Sequence, residues 1–275
     1  MNEPSSPHCV TCKTELRGDF CHACGERAQR DSPTLVRFVS ELLGELLDTD
    51  GRVVRTLRPL VMRPGRLTAE YVKGRHKPYL SPAAVFILMN VLFFFVQPLA
   101  NVSTFYASLH SQTNWCPYSV WAEERLANKL EVNGLDRKTY AREFDEASER
   151  YARTLIFLQV PLLAIGIMAV NLGKRRYFIE HMVFATHVYA VLLLLSVVAS
   201  LGIFLYWTLK FGSNFNLELP FMAIIVCYLL FGLREVYGDS WMAASLKSLL
   251  LMGVLLVVIS LFRLALFLVA LWTVD

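Results

Sequence analysis

Four cysteines near the N-terminus carry the clearest chemical signal in the chain. Cys9-x2-Cys12 and Cys21-x2-Cys24 are separated by eight residues. Two such knuckles bring four thiolates around one ion in the tetrahedral arrangement of a closed zinc site. One structural Zn²⁺ held by Cys9, Cys12, Cys21 and Cys24 is therefore the expected cofactor. A redox dithiol pair and an iron–sulfur or other metal site are the alternative readings of the same residues. Gly25 follows the second knuckle, where the missing Cβ lets backbone N–H groups turn towards sulfur, and Gly18 suits a tight turn in the connector. So short a segment has no core of its own, so metal binding has to supply its folding free energy. Thiolates also require a reducing compartment, which points to the cytoplasm. Four protein ligands leave no open coordination position, which argues against catalysis at this metal. Cys116 and Cys227 lie far from the knuckles; Cys227, inside an apolar run, reads as a small packing residue.

Glu180, His181 and His187 form a second candidate group. Glu180 and His187 are seven residues apart and share a helix face, with His187 about 10 Å deeper. His181 and His187, six apart, point in different directions, whereas a two-histidine metal site on one helix asks for i, i+4. Two readings stay open. In one, Glu180 caps the helix and the histidines bond to neighbouring helices. In the other, the three bind a headgroup, a proton or a metal, since ionisable groups in a membrane segment are functional candidates by default. Asn90 and Gln159 could join such a site from two further apolar runs, and Arg263 is expected to snorkel outward or pair with Glu218. The sequence holds no nucleotide-binding glycine loop, no H-E-x-x-H and no serine-nucleophile signature, so no reaction is legible in it.

The elements that must position these groups are membrane helices. The chain is 55% apolar and 18% charged, with a mean hydropathy of +0.43, against about 25% charged residues in a soluble domain. The apolar residues cluster in five runs: Pro82 to Ala100, then about Leu155 to Leu172, Met182 to Trp207, Leu217 to Leu233 and Ser248 to Trp272. Each approaches the roughly 20 residues that cross a bilayer. Pro161 should kink the second, and Trp207, Trp241 and Trp272 fall at run ends as an aromatic belt requires. Met1 to Pro7 is polar and lacks an apolar h-region, so no cleavable signal peptide is expected. Lys73, Arg75, Lys77, Lys174, Arg175, Arg176, Arg234 and Lys247 all fall on the side of the N-terminus, against Lys210 in the short opposite loop. The positive-inside rule then puts the N-terminus in the cytoplasm and the C-terminus outside.

Between the cysteines and the first run lies an amphipathic neck. Ser32-Pro33 reads as a helix start, with Leu35, Val39, Leu42 and Leu46 among the residues of one apolar stripe that ends near Asp50-Gly51. A second short piece, Val53 to Met62, is interrupted by Pro59. Arg52, Arg55, Arg58, Arg63, Arg66, Lys73, Arg75 and Lys77 face only Glu70 in this stretch. The neck helices pack on each other or on the bundle, lie in the headgroup layer with the arginines towards anionic lipid, or form a partner-binding groove. The long loop after the first run is expected to form a helical hairpin, with Asn133-Gly134 as a stop and Asp136 as a cap. Its charged faces read as solvated surface.

Paired cysteine knuckles, Thr56-Leu57, Arg63-Pro64-Gly65, and Tyr71-Val72-x-Gly74-x-x-Lys77-x-Tyr79-Leu80-x-Pro82 leading into a membrane run resemble an uncharacterised bacterial family. That family is known only as a domain of unknown function: multi-pass membrane proteins with an N-terminal zinc ribbon. Glu180-His181-x-Val183-Phe184-x-x-His187 also resembles it. In Arg75-His76-Lys77 the chain departs from the denser basic run expected there. The resemblance implies a bacterial inner-membrane location and lends no activity. The sequence therefore reads as an all-α integral membrane protein with about five transmembrane helices. A zinc ribbon occupies residues 1–30, the neck 31–80, and the bundle 81–275 with its external hairpin at about 101–150. The leading function is a non-enzymatic adaptor or assembly protein whose ribbon binds a cytoplasmic protein partner and whose neck meets anionic lipid; no nucleic acid is expected. The alternative is a lipid-handling transporter or intramembrane enzyme using Glu180, His181 and His187.

Overall fold

A computed structural model of the chain describes residues 8–9, 11–18, 21–25, 51–100, 107–209 and 218–274. The helix expected from Ser32 to Asp50, and Lys210, lie outside the described residues. Those residues are helical apart from the cysteine module and connecting turns, with one isolated bridge between His8 and Glu15. The neck forms α1 (Arg52–Met62) and α2 (Arg66–Val72), and α3 (Pro82–Ala100) follows. Short α4 (Leu109–Asn114) and α5 (Ser119–Asn133) precede α6 (Arg137–Leu155), which continues through a 3-10 turn, Ile156–Leu158, into α7 (Gln159–Val170). The chain ends with α8 (Phe178–Thr208), α9 (Glu218–Tyr237) and α10 (Trp241–Thr273).

Among the described residues, four helices are long and apolar enough to cross a membrane: the continuous Arg137–Val170, Phe178–Thr208, Glu218–Tyr237 and Trp241–Thr273. A shorter apolar helix, Pro82–Pro98, lies within α3. The helices outrun the apolar runs because backbone hydrogen bonding carries them past the hydrocarbon. At 1.5 Å per residue, the 33 residues of α10 reach about 50 Å, against about 30 Å of bilayer core. Pro161 acts where its chemistry requires. It lacks an N–H for the carbonyl of Phe157 and its ring crowds that carbonyl, and the 3-10 turn falls there. Pro59, by contrast, does not interrupt α1; the helix runs through it and closes with Arg63 N–H on the Pro59 carbonyl at 3.1 Å.

Two cores organise the chain. The larger joins the neck to the bundle: Leu60, Leu67 and Leu80 pack in one cluster with Phe93, Phe184, Tyr189 and Leu229. The smaller lies in the hairpin, where Leu126, Tyr140 and Phe144 close over Phe267 and Ala270 from the far end of α10. Lys129 Nζ donates to the carbonyl of Leu271 at 2.6 Å and also to that of Val274, satisfying groups that a helix end leaves open. Gly134, at φ +59°, ends α5 as its Asn-Gly signal predicts, and Asp136 accepts from Thr139 N–H at 3.0 Å to start α6. Burial, and then the Cys116 side chain, push the Tyr118 hydroxyl up, and the charge of Arg263 opposes that push. Cys227 is exposed on α9 beside Ile224 and Phe231, not packed inside.

At the opposite end, three connections meet around Asp239. Its carboxylate, 4% exposed, pairs with Lys174 Nζ at 3.1 Å and Lys247 Nζ at 2.8 Å. Lys247 also donates to Asn171 Oδ1 at 2.8 Å, and Lys174 donates to the Tyr237 carbonyl at 2.9 Å. A carboxylate this buried is tolerable because two ammonium groups compensate it. The hairpin depends on its one shared ring. Phe267→Ala is expected to cost about 3–5 kcal/mol of hairpin docking. Hydrogen exchange should then rise across α5 and the first half of α6 while the neck stays protected.

Candidate metal centre and cationic cleft

The knuckles fold as near copies of each other. In each, the residue after the second cysteine takes a left-handed conformation: Lys13 at φ 65° and Gly25 at φ 71°. Each donates its N–H back to the carbonyl of the first cysteine, Lys13 to Cys9 at 2.9 Å and Gly25 to Cys21 at 2.7 Å. Glycine adopts this conformation without strain; lysine does so at a cost of about 1–2 kcal/mol. The turns gather Cys9, Cys12, Cys21 and Cys24 so that all four sulfurs lie within 4.8 Å of one another. Cys12 and Cys21 Sγ are 3.4 Å apart, and Cys9 and Cys24 Sγ 3.6 Å. Sulfurs bonded to each other would be about 2.05 Å apart, so these are free thiols. Hydrogen bonding from the Thr14 side chain, 3.2 Å away, and then from its backbone, lowers the Cys12 thiol to about 6. The four side chains could hold one metal ion.

Of the other predicted residues, Glu180, His181 and His187 each have partners of their own. Glu180 receives Arg176 Nη1 at 2.6 Å and the Tyr177 N–H at 3.3 Å, closing the first turn of α8. His181 stacks on Tyr237 of α9, with Nδ1 2.7 Å from the phenol oxygen. His187, buried, turns its Nδ1 to Thr68 Oγ1 of the neck at 2.8 Å. Each of the three thus engages a different element. Gln159 accepts from the Tyr189 hydroxyl at 3.2 Å. Asn90 is buried in α3.

The neck is inserted, not merely adsorbed. Thr56 donates to the Arg52 carbonyl at 2.7 Å and accepts the Leu80 N–H at 2.9 Å, tying the start of α1 to the start of α3. Gly65, at φ +82°, lies against α9 so closely that a Cβ there would sit 2.8 Å from Gly232 Cα and 2.8 Å from its carbonyl oxygen. The basic residues of the neck are correspondingly divided. Arg75 pairs with Glu70 at 2.6 Å, while Lys77 reaches towards Gly25 of the cysteine module. Lys73 is exposed, as are Arg55 and Arg58 on α1, and Arg52 is half-buried.

Beside this turn lies a cleft of about 500 Å³ lined by Met62, Arg63, Pro64, Arg66, Phe231, Arg234 and Glu235. The Arg234 guanidinium carbon sits 3.4 Å from the ring centroid of Trp241, which also meets Phe231 edge-on at 5.8 Å. Sequence reasoning weighed Arg234 only as a topogenic charge and Gly232 not at all. Only the pairing of an Arg-Pro-Gly turn with a glycine two residues before a helix-end arginine could have suggested the cleft.

Metal content tests the cysteine cluster. The purified chain is expected to carry about one metal ion, and Cys21→Ser/Cys24→Ser to carry none. Elemental analysis decides it; undiminished metal in the double variant would remove the site.

Residues 50–94, the neck and most of α3, match a family model described as "Protein of unknown function (DUF3667)". No curated protein and no solved structure matches the chain. Over that stretch the chain is similar to an uncharacterised family, and its apolar helices fit such a membrane protein.

Proposed function

We propose that this protein is a non-enzymatic adaptor or assembly factor of the bacterial inner membrane. Five helices, α3 among them, anchor it, and a zinc ribbon on the cytoplasmic side binds a protein partner. The observation that carries this reading is the closed set of four sulfurs: a metal with every position filled by the protein organises a surface but offers no place for a substrate. The sulfur spacings of 3.4 and 3.6 Å, with all four sulfurs within 4.8 Å, suit one tetrahedral ion such as zinc, whose bonds of about 2.3 Å put sulfurs about 3.8 Å apart. Lys174, Arg175, Arg176, Arg234 and Lys247 lie at the neck end of the bundle, which supports a cytoplasmic N-terminus and an external C-terminus. On α1, Val54, Arg58, Val61 and Met62 form an exposed face, with Val54 at 70% and Met62 at 75% exposure. Such a face suits the headgroup layer of anionic lipid.

A second reading, a lipid-handling transporter or intramembrane enzyme, is favoured by a different observation. His187 Nε2, Asn90 Nδ2 and Gln159 Nε2 are buried without hydrogen-bond partners among the described residues. Such groups are costly to leave unsatisfied and often mark function. One complementation experiment separates the readings, in a strain that lacks the protein and is stressed at its envelope. The adaptor reading expects a ribbon-deleted chain to fail and Glu180→Gln/His187→Gln to rescue. Rescue without the ribbon, with failure of the double variant, would replace it by the second reading.

A further inference from the structure

The cleft beside Gly65 has the composition of an anion site set at a membrane interface. Three arginines, Arg63, Arg66 and Arg234, face one carboxylate, Glu235. The Arg234 guanidinium carbon sits 3.4 Å from the Trp241 ring centroid, so its head is positioned before any ligand arrives; its Nε is buried without a hydrogen-bond partner among the described residues. A planar, pre-positioned guanidinium suits the oxygens of a phosphate group, which accept two parallel N–H bonds. The lips of the cleft are apolar and open: Met62 is 75% exposed and Phe231 47%. Phe231 belongs to the exposed face of α9, with Ile224 and Cys227, and Trp241 opens α10, a helix end that suits an indole ring at a bilayer boundary. Cationic floor and apolar lips together fit a ligand with a phosphate at one end and hydrocarbon at the other.

We infer that this cleft binds the phosphate group of an anionic phospholipid, held by Arg63, Arg66 and Arg234 with the acyl chains lying over Met62 and Phe231. The site rests on the reading of the neck as a face for anionic lipid, and sharpens it from diffuse attraction to one stoichiometric ligand. It has a structural corollary. Arg63 and Arg66 come from the neck and Arg234 from the bundle, so a bound phosphate would bridge the two across the Gly65–Gly232 contact.

The test uses the full chain in a zwitterionic detergent, with native mass spectrometry counting bound lipid at low and high salt. Phosphatidylglycerol is expected to bind one per chain and to survive high salt, with phosphatidylcholine at least tenfold weaker. Arg66→Gln and Arg234→Gln should each weaken phosphatidylglycerol about tenfold, the scale of one charge-assisted pair. Arg234→Lys keeps the charge and guards against a folding artefact; it should lose affinity too, because the fork is gone. Arg137→Gln, at the other end of the molecule, should change nothing. Inorganic phosphate or glycerol phosphate displacing the lipid at equal concentration would identify a free phosphate as the ligand and overturn the lipid assignment. Loss of binding in Arg55→Gln/Arg58→Gln but not in the cleft variants would leave diffuse surface attraction standing and overturn the cleft. No preference for anionic lipid in any variant would overturn both.

Discussion

Backbone lies on backbone where Gly65 meets Gly232, and the side chains around that contact take their places from it. A Cβ at Gly65 would come within 2.8 Å of α9's main chain, and one at Gly232 would come within 2.8 Å of the Phe184 ring. Neck turn, α9 and α8 therefore stack through two positions at which only a hydrogen fits. The positive φ of Gly65 is the same constraint seen locally, since the turn that brings α2 back towards the bundle needs a left-handed residue. From this contact follow the insertion of Leu60 and Leu67 into the bundle core, the approach of Thr68 to His187, and the convergence of three arginines on one cleft.

The two ends of the bundle solve different problems. At the neck end, charges gather around buried Asp239 and half-buried Glu180, and Lys174, Arg176 and Lys247 each also reach a backbone carbonyl or an amide oxygen. These bonds staple the loop after α7 to the end of α9 and the start of α10. At the far end, the hairpin folds around the last turns of α10, with Phe267 as its core and Lys129 as its cap. The hairpin's bidentate pair, Arg137 with Glu123 at 2.5 and 2.8 Å, is largely exposed and holds Glu123 below the usual carboxylate range. Exposed pairs of this kind contribute under about 1 kcal/mol, so the ring, not the ion pair, fixes the hairpin.

What could be read in the sequence was local. The cysteine spacing announces its own geometry, because both knuckles close within five residues. Asn133-Gly134 and Asp136 act through bonds to residues about one helical turn away and mark the element ends expected of them, and a 3-10 turn falls at the carbonyl that Pro161 leaves without an N–H. Glu180 as a helix cap is legible for the same reason. Distant pairs were not legible. Thr68 and His187 are 119 residues apart in sequence, and nothing in either predicts the other. Gly232 looks like any glycine in an apolar helix until the neck is laid against it. Pro59 misled because a proline within a short basic segment suggests a break, yet tertiary packing of Thr56 and Leu60 holds the helix through it.

The central claim is that the neck is a built-in part of the bundle, locked by a glycine contact, and it can be measured through its amide protons. Hydrogen exchange of the intact protein in lipid nanodiscs should show α2, Arg66–Val72, protected to the level of the first turns of α8, with that protection lost in Gly65→Val while α8 and α10 are unchanged. Exchange of α2 at the rate of an open chain in the unsubstituted protein, or full protection in Gly65→Val, would contradict the account.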